Sequence, residues 1–247
     1  MNESPSLAQE GARGNEIICI IPTLDEAATV AEVVKKAKRF TQRVVVIDGH
    51  SGDNTCEIAS EAGADIMLQE GKGKGMALRS AFDRIVEGKV FVIIDGDATY
   101  DALEMEMITK PILEDEADMV IGSRLKGKME KGSISRLNYI GNGVFNFLLN
   151  SLFHGDITDS QSGFRALNRK AIQTLDLSSE GFEVEIEMTV KALKKGLRVR
   201  EVPISYKRRR GSSSKLNPLK DGSRIMKTLI KLRLERSKSA HSEVKKL

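Results

Sequence analysis

Apolar positions in the first 125 residues switch repeatedly between two periods. Short β-branched runs at 17–21, 44–47, 66–68, 90–94 and 119–121 read as strands. Between them apolar residues recur at three-and-four spacing. The clearest case is 26–40, where Ala27, Val30, Val33, Val34 and Ala37 share one helical face. Asp53 and Asp101 stand where helix N-caps are expected, and Gly63 where a helix should stop. This alternation predicts an α/β fold with a mostly parallel central sheet and helices on both faces. After Gly122 the rhythm changes. The chain continues with a helical stretch at 134–153, a polar loop at 155–163, a strand-like piece at 164–167, a helix at 182–195 and an ordered run at 198–205. The tail from Pro218 carries Ile225, Met226, Leu229, Ile230 and Leu232 among lysines and arginines. There is no internal repeat and no linker. The expected organisation is a disordered leader at 1–15, one domain at 16–216 and a basic amphipathic extension at 217–247.

Composition narrows the class without changing the fold. The chain has 247 residues, enough for a substantial core, and is 40% hydrophobic and 30% charged. Aromatics make up only 4%, with no Trp, which disfavours single-stranded nucleic acid and its stacking platforms. The net charge of +4 arises from 39 basic and 35 acidic residues, and the basic excess lies in the last forty or so. A local basic patch of that kind suits phosphate or an anionic membrane surface. Cys19 and Cys56 show no pairing or metal spacing, so a reduced, cytosolic setting is expected. No apolar run approaches the roughly eighteen residues a bilayer span requires. The start, MNESPSLAQEGARGNE, lacks the features of a signal peptide.

Two apolar runs end alike, Val-Val-Val-Ile-Asp48-Gly and Phe-Val-Ile-Ile-Asp95-Gly. Ligands of open parallel sheets bind beyond the carboxyl ends of the strands, so both carboxylates are expected to face one crevice. Asp95 and Asp97, two apart, are placed to offer oxygens to one hard cation, magnesium or manganese, held against a diphosphate. For Asp48 alone, capping the next helix is an equal reading. The loop Glu70-Gly-Lys72-Gly-Lys74-Gly75 fails both the phosphate-loop and the dinucleotide patterns. What remains is a basic loop opening a helix near Gly75, where an anion or merely solvent would sit. The cluster Lys207-Arg208-Arg209-Arg210-Gly211-Ser212 directly succeeds an ordered run and suits a phosphate. His50, His154 and His241 show no ligand spacing, and no nucleophile elbow is present.

Seven stretches, taken in order, resemble the family 2 inverting glycosyltransferases of GT-A fold, and within them the dolichol-phosphate mannose synthase group. They are IPTLDEA at 21–27, VVVIDGHSGDNT at 44–55, GKGKGMALRSAF at 71–82, VFVIIDGDAT at 90–99, IGSR at 121–124, DSQSGFRAL at 159–167 and YKRRRGSSSK at 206–215. The resemblance implies that Pro22, Asp25 or Glu26 and Asp48 line the nucleoside pocket, and that Asp95 and Asp97 hold Mg²⁺ or Mn²⁺. Thr99 is the positional candidate for a third metal ligand. Arg124, Arg136 and an arginine among Arg208, Arg209 and Arg210 would bind the acceptor phosphate, with Lys74 and Ser212 as further contacts. Asp159 and Arg165 fall in the family's stretch near the sugar, and Asp97, Arg124 and Asp159 form the implied catalytic set. The first motif departs from the family with Leu24-Asp25-Glu26, and the membrane-spanning C-terminal helices of some subgroups are missing.

The resemblance thus implies an enzyme that moves a hexose from a GDP- or UDP-sugar to a polyprenyl phosphate. It would work peripherally on the cytoplasmic membrane face, without nucleic acid and with oligomerisation left open. A soluble phosphorylated acceptor, or a sugar nucleotidyltransferase, are the rival readings. The stretch 218–235 is expected either to lie in lipid headgroups or to pack on the domain or on a second copy.

Overall fold

The computed structural model describes residues 17–235. The expected leader and the last residues of the tail lie outside them. The strands are β1 (Ile17–Thr23), β2 (Arg43–Asp48), β3 (Asp65–Leu68), β4 (Val90–Ile93), β5 (Met119–Met129), β6 (Arg165–Asn168) and β7 (Val199–Tyr206). The helices are α1 (Val30–Ala37), α2 (Thr55–Glu61), α3 (Lys74–Arg84), α4 (Met105–Leu113), α5 (Arg136–Phe153), α6 (Arg169–Leu175), α7 (Val184–Lys194) and α8 (Pro218–Leu234).

Among the described residues the strands form one seven-stranded sheet in the order β3-β2-β1-β4-β6-β5-β7. All neighbours are parallel except β6, which runs antiparallel to both β4 and β5. The expected α/β class with a mostly parallel sheet is what the chain adopts. Both sheet faces are apolar. Ile18, Ile20, Val45, Ile47, Phe91 and Ile93 pack under α3, α7 and α8, while Cys19, Ile21, Val44, Val46, Val92 and Ile94 pack under α1 and α4. Strands covered on both faces read as continuous apolar runs, which is why their positions stood out in the sequence.

Several boundaries differ from expectation for local reasons. Helix α1 begins at Val30 rather than 26, because the Glu26 carbonyl accepts from Thr29 N and Val30 N in a turn that frees the Glu26 side chain. Asp53 is not the cap of α2, which is Asn54. Asp53 instead accepts from Thr55 N at 3.1 Å and Ala27 N at 3.2 Å, tying two loops together. Asp101 does cap a short 3₁₀ turn, accepting from Leu103 N, and Gly63 takes a left-handed φ of 92° after α2. Strand β5 runs well past Ile121, its polar second half pairing with β7 beyond a register shift between Ser123 and Lys128.

The glycine-rich loop has a packing explanation. A Cβ at Gly73 would stand 2.4 Å from the Glu180 carbonyl oxygen, and one at Gly75 2.3 Å from that of Ser179. The glycines let the start of α3 lie against the backbone that leads into α7. Lys74 is thereby aimed inward, while Lys72 stays exposed.

Helix α8 is part of the core. Ile225, Leu229 and Leu232 are buried in the same cluster as the α7 residues. Leu229→Ala should therefore lower unfolding stability by about 2–5 kcal/mol in urea titrations. A loss below about 1 kcal/mol would mean that α8 is a detachable tail.

Candidate active site

The chain leaves β1 toward β2 and β3, then returns to β4 on the other side of β1. That reversal opens a crevice at the strands' carboxyl ends, the position ligands take in open α/β sheets. In this structure the crevice deepens into a cavity of about 490 Å³, walled by residues that include Lys74, Asp95, Asp97, Thr99, Tyr100, Arg124, Glu185, Arg209 and Ser212.

Asp95 and Asp97 both reach the cavity, although not through extended backbone. The chain turns after β4, and Ala98 takes a left-handed φ of 56°. Thr99 donates to Asp97 Oδ1 from its amide at 3.0 Å and its hydroxyl at 2.6 Å. The other Asp97 oxygen receives Arg209 Nη2 at 2.5 Å. Asp95 is paired with Lys74 at 2.5 Å, and Lys74 also holds Glu185 at 2.6 Å. Burial alone would lower the Lys74 pKa, but the charges of Asp95 and Glu185 outweigh it and keep the ammonium protonated. A Cβ at Gly163 would stand 2.6 Å from Asp95 and 2.8 Å from Lys74 Nζ, so a side chain here would displace this ion pair.

The basic loop after β7 crosses the crevice. Lys207 N donates to the Thr99 carbonyl at 2.7 Å. Arg209 bridges Asp97 and Glu26, Ser212 donates to Glu26 at 2.7 Å, and Lys215 pairs with Asp25 at 3.0 Å. Burial pushes the Glu26 carboxyl above its ordinary range, and Ser212 and Arg209 only partly offset this. The Gly52 amide and Lys215 hold Asp25 below the ordinary range. At the ends of β1 and β2, register sets Thr23 and Pro22 beside Asp48 and Ile47. Asp48 accepts from Thr23 at 3.0 Å and from the Ser51 amide at 2.8 Å, so it orders its loop whatever else it binds.

On the far wall Arg124 forms a two-pronged pair with Asp159, Nε and Nη2 each donating at 2.7 Å. Its guanidinium also lies 5.1 Å from the centre of the Tyr206 ring. Asp159 is fully buried behind it and is held in turn through its amide by Glu201. Tyr206 contacts Tyr100, whose hydroxyl accepts from Gly163 N at 2.8 Å.

Four of the expected arginines stand off the cavity wall, each for its own reason. Arg165 is fully buried and donates to the Ser162 and Ser160 carbonyls and to Thr189, so it braces the loop carrying Asp159 and Gly163. Arg208 turns outward to the Lys131 carbonyl, and Arg210 to Glu32. Arg136 is exposed at the first turn of α5. Sequence reasoning missed Tyr100, Tyr206 and Glu185. Tyr100 comes almost directly after the acidic motif, but Glu185 sits inside a helix, where only packing shows which way it faces.

The cavity's charges do not balance internally. Asp95, Asp97, Glu185 and Asp221 line it with Lys74, Arg124 and Arg209, four acids against three bases, and Arg124 and Arg209 are further shared with Asp159 and Glu26. Among the described residues there is no cluster of three or more His, Cys, Asp or Glu close enough to enclose a metal ion. Two carboxylates beside a negative excess match the way magnesium or manganese is held, with substrate phosphate and water completing the shell.

The sequence model for glycosyl transferase family 2 matches residues 18–176. The chain belongs to that family. It is a glycosyltransferase, and it is 37% identical over 210 residues to the glycosyltransferase AglJ of Haloferax volcanii, covering 84% of this chain and 69% of that one. A dolichyl-phosphate hexose transferase of the same organism is 31% identical, with 90% and 95% covered. A dolichol-phosphate mannosyltransferase of Pyrococcus furiosus is 30% identical over 81% and 59%. Among solved structures, glucosyl-3-phosphoglycerate synthase of Mycobacterium tuberculosis, in complex with Mn²⁺, UDP-glucose and phosphoglyceric acid, superposes with a TM-score of 0.76. It covers 94% of this chain and 86% of that one at 22% identity, which establishes the shared GT-A fold.

The Arg124–Asp159 pair is the testable joint of this wall. Asp159→Asn removes the charge that compensates a buried guanidinium and should cost about 3–5 kcal/mol in urea denaturation. An unchanged midpoint would show that Arg124 is solvated instead.

Proposed function

We propose that this transferase moves a hexose from a GDP- or UDP-linked donor to a polyprenyl phosphate in a single inverting displacement. The observation that carries this reading is the cavity itself, with an acidic pair on one wall and buffered cations, Arg124 and Arg209, on the others. Relatives named for dolichyl-phosphate hexose and mannosyl transfer support the acceptor class.

Asp95 and Asp97, with Thr99 beside them, would hold the divalent cation, which neutralises charge growing on the departing diphosphate. Pro22, Asp25, Glu26 and Asp48, beyond the cavity lining at the ends of β1 and β2, would contact the nucleoside. Arg209 is shared between Asp97 and Glu26, and with a cation held at Asp97 its guanidinium would be available to a phosphate. Arg124, oriented by Asp159 and Tyr206, positions the attacking phosphate oxygen at the anomeric carbon. That oxygen is already ionised near neutral pH, so no side chain need act as a strong base. The new bond forms as the bond from carbon to the diphosphate breaks, with inversion.

Membrane contact belongs to the same reading. Among the described residues no helix is long and apolar enough to cross a bilayer. Helix α5 instead exposes Leu137, Tyr139, Ile140, Val144 and Phe147, just after Lys126, Lys128, Lys131 and Arg136. An apolar face beside clustered cations suits the headgroup region of an anionic bilayer. The inward residues of α8 are occupied by the core, so α5 is the better-exposed surface for this role.

A donor screen tests the chemistry: purified protein, several UDP- and GDP-sugars, Mg²⁺ or Mn²⁺, with and without polyprenyl phosphate. Lipid-dependent transfer is expected, and Asp97→Ala should lower turnover by at least about a hundredfold with an unchanged melting curve. Transfer confined to water-soluble phosphorylated acceptors would overturn the lipid assignment, and full activity of Asp97→Ala the metal site. For the membrane, replacing Ile140 and Phe147 with Ser should reduce co-sedimentation with anionic vesicles several-fold. Equal sedimentation of both forms would remove α5 from the contact.

A further inference from the structure

Behind the Arg124–Asp159 pair lies a second acid that the transfer chemistry does not employ. Along β7, Val202, Ile204 and Tyr206 pack toward α1 and α4, so Glu201, out of phase with them, points to the opposite sheet face. Its side chain is only 2% exposed. One oxygen accepts from the amides of Thr158 and Asp159, each at 2.9 Å. The other accepts from the Thr158 hydroxyl at 2.7 Å and from Lys126 Nζ at 3.0 Å. A carboxylate removed from water is tolerated only when donors surround it in this way. Here all of them but Lys126 belong to the two residues 158 and 159.

Arg124 depends on those two residues more than a strand residue normally would. The register shift between Ser123 and Lys128 takes it out of the β5–β7 ladder, and a bulge of this kind re-aims a side chain. A Cβ at Gly127 would run into the Ile204 carbonyl, so only a glycine keeps the two strands in contact across the shift. With no ladder partner, the Arg124 amide donates to Asp159 at 2.9 Å, alongside the two guanidinium bonds. The hydroxyl of the preceding Ser123 lies 2.8 Å from that of Thr158. The rest of the loop has separate anchors. Asn150 bonds both backbone polar atoms of Ile157, Asn146 holds the Thr158 carbonyl and Ser160, and Arg165 holds the Ser160 and Ser162 carbonyls. The amides of Thr158 and Asp159 go to Glu201.

We propose that Glu201 is a positioning residue for the acceptor. By fixing the turn at 158–159 it sets the angle at which Arg124 offers its remaining N–H groups to the attacking phosphate. The inference rests on the role given to Arg124 in the hexosyl-transfer reading above, and it holds for any phosphorylated acceptor, lipid or soluble. A guanidinium reads phosphate through a rigid fork, so its direction matters as much as its charge. Misplacement by about an ångström costs up to about a hundredfold in rate. The donor side does not share this dependence, because Asp95, Asp97 and Lys74 are set by the end of β4 and the start of α3.

A double-mutant cycle tests this, using Glu201→Gln, Arg124→Lys and the pair together, with the phosphorylated acceptor that the wild type glycosylates. If the wild type transfers to no phosphorylated acceptor, the hexosyl-transfer reading fails and takes this proposal with it before a variant is considered. If transfer is seen, Glu201→Gln should lower kcat/KM for the acceptor about tenfold and leave KM for the nucleotide sugar within about twofold. In the Arg124→Lys background, where the fork is already lost, the same change should cost less than about twofold. A loss shared equally by donor and acceptor, or the full loss in both backgrounds, would make Glu201 a plain anchor of the loop and overturn the proposal. Should Glu201→Gln fail to fold, Thr158→Val removes one donor from the carboxylate and Thr158→Ser keeps it. The Val variant should then lose about threefold or more in acceptor kcat/KM and the Ser variant less than about twofold. Equal behaviour of these two would overturn the proposal as well.

Discussion

Unbalanced charge at the carboxyl ends of β1 and β4 organises most of what surrounds it. Carboxylates outnumber cations around this partly buried cavity, and the cations reduce the repulsion among them without removing it. The arrangement persists because every member is anchored from behind. Lys74 is brought in by a helix start that packs backbone to backbone, and Asp97 is clasped by Thr99. The sheet supplies the rigidity. With both faces buried under helices, its strand ends are fixed points from which short polar side chains can be aimed.

Two kinds of buried charge coexist here. Arg124 and Asp159 are matched, two-pronged and self-contained, so their pair orients rather than reacts. Lys74, Asp95 and Glu185 form an odd triad in which one base serves two acids. The Asp97–Arg209–Glu26 bridge has the same ratio. Each triad keeps a net negative charge that a cation can satisfy. The matched pair leaves none, so Asp159 holds Arg124 at the cavity wall as a fixed guanidinium rather than an unmet charge.

Much of this was legible in the sequence, and the reasons are physical. Fully covered strands appear as unbroken apolar runs, so β1, β2 and β4 and the carboxylates at their ends could be placed from pattern alone. The antiparallel β6 was not legible in direction, since a four-residue strand carries no sign of its orientation. The polar half of β5 was hidden because its partner β7 lies far away in sequence. In the run 207–210 nothing in four consecutive cations singles out Arg209. Only the crossing of the loop over Glu26 and Asp97 does so. Arg165 looked like a substrate contact, and its burial shows it to be a brace. Glu185 was hidden because polar positions at the start of a helix are ordinary, and its inward direction depends on α3 packing beside it.

The two sides of the crevice differ in how they are built. The loop carrying Asp159 and Gly163 is locked by a buried arginine with three bonds and by the Tyr100 hydroxyl. The segment after β7 has no regular structure and is held by partly exposed ion pairs to Asp25, Glu26 and Glu32. Exposed pairs are weak singly, so changes at Arg210 and Lys215 cost little folding stability, whereas Arg209 answers two buried carboxylates. The rigid side is thus tied to the fold along its length, and the other side chiefly through Arg209 and the Lys207 amide. A scaffold divided in this way can diversify through one loop while its opposite wall stays fixed.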